Sequence, residues 1–282
     1  VVPPGFSGIK QSKGETRMLK QIVANGVRLA VWDCGQERAI VLLHGFPLDH
    51  TMWHHQLEML AGRYRVIAPD LRGFGASEAI PGKCTMEELA DDTSALLDVL
   101  EVRQPVVLCG LSMGGYVAWE MVRKYGWRLG ALVLCDTRAQ PDAPAAAEAR
   151  LETAQRVTAE GSGVLAEAML PRLLAPATLE RQPQLAATLR EVILRTPPAG
   201  AAAALRGMAE RRDARPLLAS IAVPTLVLGG EHDAISPPAE MQAMAAAIPG
   251  ARWVEIRGAG HLSPCENPQA VNQALAEFLA GL

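Results

Sequence analysis

The chain has 282 residues, 49% of them hydrophobic and 20% charged, with a net charge of -3; that is enough to bury one large core. So small an imbalance gives no electrostatic reason to expect nucleic acid or an anionic membrane as a partner, and no apolar run approaches the roughly 20 residues that span a bilayer. Cys34, Cys84, Cys109, Cys135 and Cys265 are odd in number and lack close spacing, which argues against a disulfide framework or a zinc site and for a reducing, cytoplasmic setting.

Residues 1 to about 17 are rich in Pro, Gly and Lys without periodicity, the pattern of a mobile tail and not of a signal peptide. Leu19 to Ala24 and Val27 to Trp32 flank Asn25-Gly26, a strong two-residue hairpin signal, so the fold is expected to open with two antiparallel strands. A buried strand follows at Ala39 to Leu43 and runs into His44-Gly45-Phe46-Pro47. Next come a helix around Met52 to Ala61, a strand at Arg65 to Pro69 and the loop Asp70 to Ser77. Thr85-Met-Glu-Glu88 is a capping box that opens a helix reaching about Leu100.

Pro105 to Cys109 is almost wholly apolar and rich in β-branched residues, which reads as a buried parallel strand. Gly110-Leu-Ser112-Met-Gly114 comes directly after it, and Val117, Ala118, Met121 and Val122 then recur at helical spacing. Strand, sharp turn and helix form the setting a nucleophilic serine needs: Gly110 and Gly114 leave room for a strained turn that lifts the Ser112 hydroxyl clear of the sheet. A further strand is expected at Ala131 to Cys135.

From residue 137 to 216 the strand runs vanish. Ala, Arg, Glu and Pro dominate, and helical spacing is broken at Pro171, Pro176, Pro183 and Pro197-Pro198, which reads as three or four short helices inserted between strands. Strand character returns at Pro224 to Gly229, followed by a helix at Pro238 to Ile248, a strand at Arg252 to Ile256 and a closing helix at Ala270 to Leu279. Alternating strands and helices imply a mostly parallel α/β sheet covered on both faces. The core then comprises residues 18–136 and 217–282.

A serine hydroxyl needs a base within hydrogen-bond reach, itself oriented by a third group. His50, His54 and His55 fall on or beside the first helix, His44 shapes a turn, and His232 flanks a carboxylate. His261 follows the last strand and Gly258-Ala-Gly260, in a loop at the carboxyl edge where open α/β sheets place their chemistry, and is the candidate base. Asp233 lies past a strand end and satisfies the chain order serine, acid, histidine. Asp136, also past a strand end, is the other candidate acid, and Glu231 is the poorer one by length. Two backbone N–H groups are needed for an oxyanion; Met113 follows the nucleophile, and Phe46 precedes a proline that has no N–H to offer.

The set His44-Gly-Phe-Pro47, Asp70 to Ser77, Gly110-Leu-Ser-Met-Gly-Gly115, Asp233 and Gly260-His261 resembles the α/β-hydrolase superfamily over residues 19 to 279. Within it the chain is similar to bacterial carboxylesterases close to the 3-oxoadipate enol-lactonases, with Leu134 to Asp142 and Met208 to Asp213 most like small esterases of short acyl chains. The resemblance implies an eight-stranded, mostly parallel sheet and makes residues 137–216 a helical lid. Ser112 stands where haloalkane dehalogenases and epoxide hydrolases carry aspartate, which excludes those activities.

The expected function is hydrolysis of a small ester through an acyl-enzyme on Ser112. Leu170, with Met169, Leu173 and Leu174, would wall the acyl pocket from the lid, and Leu48, Trp53, Ile235 and Leu262 would line it beside Phe46 and Met113. Arg138 or Arg172 would suit a substrate carboxylate, which keeps an enol-lactone hydrolase open. A cofactor-free perhydrolase shares the same triad, and a non-catalytic binding protein is the alternative of a different class. No metal-ligand spacing and no phosphate-binding loop is present, so no metal or cofactor is expected.

Overall fold

The computed structural model describes residues 19–282; the expected tail at 1–17 lies outside them. Strands β1 (Leu19–Ala24) and β2 (Val27–Cys34) pair antiparallel around Asn25 and Gly26, whose φ angles of 49° and 74° make the turn that fits strand twist. Strands β3 (Ala39–Leu43), β4 (Arg65–Pro69), β5 (Val106–Leu111), β6 (Leu129–Cys135), β7 (Thr225–Gly230) and β8 (Arg252–Ile256) follow. They form one eight-stranded sheet in the order β1-β2-β4-β3-β5-β6-β7-β8. β2 runs antiparallel to β4, and the remaining pairs are parallel.

Every residue of β3, β5 and β7 is buried. A strand buried at consecutive positions must be covered on both faces, since successive side chains point to opposite sides. Helix α1 (His54–Leu60) packs against α11 (Pro268–Ala280), while α2 (Met86–Val99) packs against α3 (Met113–Tyr125), and α9 (Pro238–Ala246) lies on β7 and β8. The capping box at Thr85 is present, with the Thr85 hydroxyl accepting from Glu88 N and Glu88 accepting from Thr85 N.

Between β6 and β7 the chain leaves the sheet. The described residues there form five helices: α4 (Pro144–Glu160), α5 (Gly163–Leu173), α6 (Pro176–Arg181), α7 (Pro183–Arg195) and α8 (Pro198–Ala209). A 3-10 turn at Arg215–Ser220 leads back to β7. The count exceeds the three or four expected because Gly161, at φ 86°, and no proline, divides α4 from α5. Pro171 sits inside α5 near its end, and Pro183 opens α7 directly after α6. α8 is mostly Ala and Gly because its face touches backbone: a Cβ on Gly200 would lie 2.0 Å from Gly73 O, and one on Gly207 would lie 1.7 Å from Cys84 O. Cys84 N also donates to Ala203 O. Among the described residues no helix is long and apolar enough to cross a membrane.

Candidate active site

Ser112 joins β5 to α3 with φ 52° and ψ -109°, in a region that costs a non-glycine residue about 1–3 kcal/mol. The neighbours impose it. Ser112 N donates to Cys135 O at 3.0 Å, and Thr137 Oγ1 donates to Ser112 O at 2.8 Å. Gly110 and Gly114 are required by crowding, since a Cβ on either would approach backbone oxygen to 2.3 or 2.2 Å.

His261 lies in the loop between β8 and the short helix α10 (Ser263–Glu266). Its Nε2 is 2.8 Å from Ser112 Oγ, and its Nδ1 is 2.8 Å from Asp233 Oδ2. A carboxylate only accepts, so the ring proton sits on Nδ1 and Nε2 is left to receive the Ser112 proton. Asp233 Oδ1 accepts from Ile235 N and Ser236 N at 2.8 and 2.9 Å, which fixes the carboxylate. All three side chains are buried, with residue exposures of 8%, 2% and 4% for Ser112, His261 and Asp233.

Asp136, the other acid considered, does not reach the imidazole. Its Oδ1 accepts from Gly230 N at 2.8 Å, and its Oδ2 pairs with Ser263 Oγ at 2.5 Å. Complete burial, then the charge of Asp233, push its carboxyl well above the usual range. Glu231 caps Gly258 N instead. His232 is half-exposed and meets the histidine loop through its backbone, donating to Ala259 O.

The turn after β3 runs alongside the nucleophile: a Cβ on Gly45 would sit 3.5 Å from Ser112 Cβ. His44 pins this turn, its Nε2 accepting from Leu71 N at 2.9 Å and its Nδ1–H donating to Gly45 O at 3.0 Å. Burial holds its pKa below the ordinary histidine value, in keeping with a neutral ring. Phe46 packs edge-on to Phe74, centroids 5.9 Å apart. Among the described residues the backbone N–H groups of Phe46 and Met113 meet no acceptor, although both residues are buried. Buried N–H groups are rarely left so.

The candidate pocket residues fall into two groups. Leu262, Ile235 and Leu170 border the catalytic loops or the insertion: Leu262 N donates to Leu173 O, Ile235 N binds Asp233, and Leu170 is half-buried in α5. Leu48 and Trp53 are fully enclosed in the core; Leu48 N closes the Gly45 turn, and among the described residues Trp53 Nε1 has no hydrogen-bond partner. Arg138 is engaged by Glu240 at 2.8 Å, and Gln140 holds the same carboxylate; Arg172 is exposed on α5.

Among the described residues two groups of metal-capable side chains, unread in the sequence, share no member with Ser112, His261 and Asp233: His54, His55 and Glu58 on α1, and Asp49, His50 and Asp70. The second is committed internally, with His50 Nδ1 on Asp70 Oδ1 at 2.6 Å and Asp70 Oδ2 accepting from Ala76 N. Spacing also failed to reveal Glu266, whose carboxylate receives backbone N–H groups from both sides of His261.

Residues 38–268 match the family model described as alpha/beta hydrolase fold. A thermophilic esterase from Thermogutta terrifontis is 50% identical, with a TM-score of 0.90 over 93% of this chain and 97% of its own. The enol-lactonase from Burkholderia xenovorans LB400 is 34% identical, with a TM-score of 0.86 over 93% of this chain and all of its own (100%). A 3-oxoadipate enol-lactonase from Acinetobacter baylyi is 30% identical over 84% of this chain and 86% of its own. The strained serine turn, the sheet order and a match along most of the chain agree: the chain belongs to the α/β-hydrolase family, among relatives that are hydrolases.

Proposed function

We propose that the protein is a serine carboxylesterase acting on small esters of short acyl chains. The carrying observation is the continuous relay from Ser112 Oγ through His261 to Asp233, 2.8 Å at each step. His261 Nε2 takes the hydroxyl proton as Ser112 attacks the ester carbonyl, and Asp233 steadies the imidazolium that forms. The N–H groups of Phe46 and Met113 receive the developing oxyanion, a role worth about 3–4 kcal/mol per donor where such donors have been removed. The imidazolium then protonates the leaving alcohol, and water repeats the sequence to release the acid.

A lactone hydrolase is the second reading, favoured by the enol-lactonase relatives. It uses the same relay but calls for a cation to meet the substrate carboxylate, and Glu240 already holds Arg138. The esterase reading draws on the more similar esterase neighbour. Turnover of p-nitrophenyl butyrate beside an enol-lactone decides between them. Ser112→Ala, His261→Ala and Asp233→Asn should each lower ester turnover on the order of 10⁴-fold, without multiplying in combination. Retained activity in Asp233→Asn with loss in Asp136→Asn would reassign the acid.

A further inference from the structure

Glu266 is a buried carboxylate, 7% exposed, and among the described residues no Lys, Arg or His forms an ion pair with it. Burial raises its pKa, and backbone donors and the Thr178 side chain pull against this. Oε1 accepts from Gly260 N at 2.8 Å and Leu262 N at 3.3 Å, the residues on either side of His261. Oε2 accepts from Ala175 N at 2.8 Å, where the helical insertion passes the site. The approach is close enough that a Cβ on Gly260 would lie 2.6 Å from Ala175 N and 2.9 Å from Leu174 C. Leu262 N also donates to Leu173 O at 3.2 Å.

Burying a charge without a counter-ion is expensive unless N–H groups replace its hydration. Three converge here, from two segments distant in sequence. A neutral side chain would fill the space at lower cost but could not accept from both segments at once. We propose that Glu266 is the positioning residue of the catalytic histidine: one oxygen clasps the peptide groups flanking His261, and the other ties that clasp to the insertion at Ala175. The insertion thereby sets the imidazole against Ser112, so it forms part of the relay's framework as well as a cover. This inference rests on the Ser112–His261–Asp233 reading above.

The test uses the full chain carrying Glu266→Gln. The amide has a single acceptor oxygen, so one arm of the clasp must fail. Misplacement near 1 Å costs on the order of 10²-fold in rate, so kcat for p-nitrophenyl butyrate should fall by that order while KM moves less than about threefold. A readout independent of ester turnover accompanies it: the His261 Nδ1–H proton resonance, identified by its loss in His261→Gln, should be sharp in the wild type and broadened by exchange in Glu266→Gln. Glu266→Asp provides a second variant should the first not fold. It keeps the charge but draws both oxygens back by one methylene from Gly260 N and Ala175 N; kcat should fall roughly tenfold and the resonance should broaden. Unchanged kcat and an unchanged resonance in whichever variant folds would overturn the proposal, as would a loss confined to KM. A wild type that shows the resonance but no esterase turnover would refute the esterase reading and leave the proposal to be judged by the resonance.

Discussion

Asp136 and Asp233 stand past the ends of neighbouring strands, β6 and β7, and the fold treats the two carboxylates differently. Asp233 is bound by N–H donors and by the imidazole. Asp136 is fully buried beside that negative charge, and its pKa is raised well above the carboxylate norm, by burial first and by Asp233 second. The linkage has a definite sign. Below the unfolded value of about 4 both states hold the proton. As pH climbs past it the unfolded chain releases the proton and the native chain retains it, so stability falls until the raised native pKa is passed. Asp136→Asn keeps an acceptor for Gly230 N and a polar partner for Ser263 but carries no proton to lose. Its melting temperature should therefore rise relative to wild type between pH 5 and pH 8. A difference that is constant or reversed across that range would show that Asp136 is ionised in the native protein.

At the scale of elements, the strands were legible to the residue where β-branched and apolar runs end abruptly, as at Arg65–Pro69 and Arg252–Ile256. The insertion was legible as helical but not in its divisions, because proline breaks a helix interior yet is accepted at a first turn or near a last one. Pro183 and Pro171 are those two cases. The meeting of Ser112, His261 and Asp233 could be read because a strained serine turn demands small residues around it, and because the other two follow strand ends. Glu266 could not, since hydrogen bonds to backbone groups leave no spacing in the sequence, and Ser263 could not, since its partner Asp136 stands 127 positions away. The alanine-rich run of the insertion likewise carries no spacing that announces a contact. In the fold it lets α8 lie directly against the loop from Gly73 to Cys84. Gly207→Ala should therefore destabilise the protein by about 1–3 kcal/mol, the usual cost of overpacking, although alanine is the better helix former by about 1 kcal/mol. Chemical denaturation measures the balance, and a stabilised variant would mean that the Cys84 segment yields.

For the molecule as a whole, the insertion is fastened at two points beside Ser112 and His261. Thr196 Oγ1 donates to Pro47 O at 2.8 Å in the turn after β3, and Ala175 N donates to Glu266 beside His261. Its outward surface carries few large apolar groups; Leu151 and Leu194 are the exposed ones, at 42% and 36%. An insertion tied to both loops, without a broad apolar face, does not suit an oil surface, and we take the buried bulk of Phe46 and Met113 beside Ser112 to favour a short acyl chain. Each methylene that a pocket buries contributes about 0.8 kcal/mol, so a deep groove would raise kcat/KM steadily with chain length. Here kcat/KM should peak at propionate or butyrate across p-nitrophenyl acetate, propionate, butyrate, octanoate and palmitate, and then fall, because further methylenes stay in water or collide. No jump in rate should occur as substrate passes its solubility limit. A maximum at octanoate or beyond would overturn the short-chain reading, and the insertion would have to release one of its two ties to admit such a chain. Thr196→Val, which removes the tie at Pro47, should then shift the optimum to longer chains.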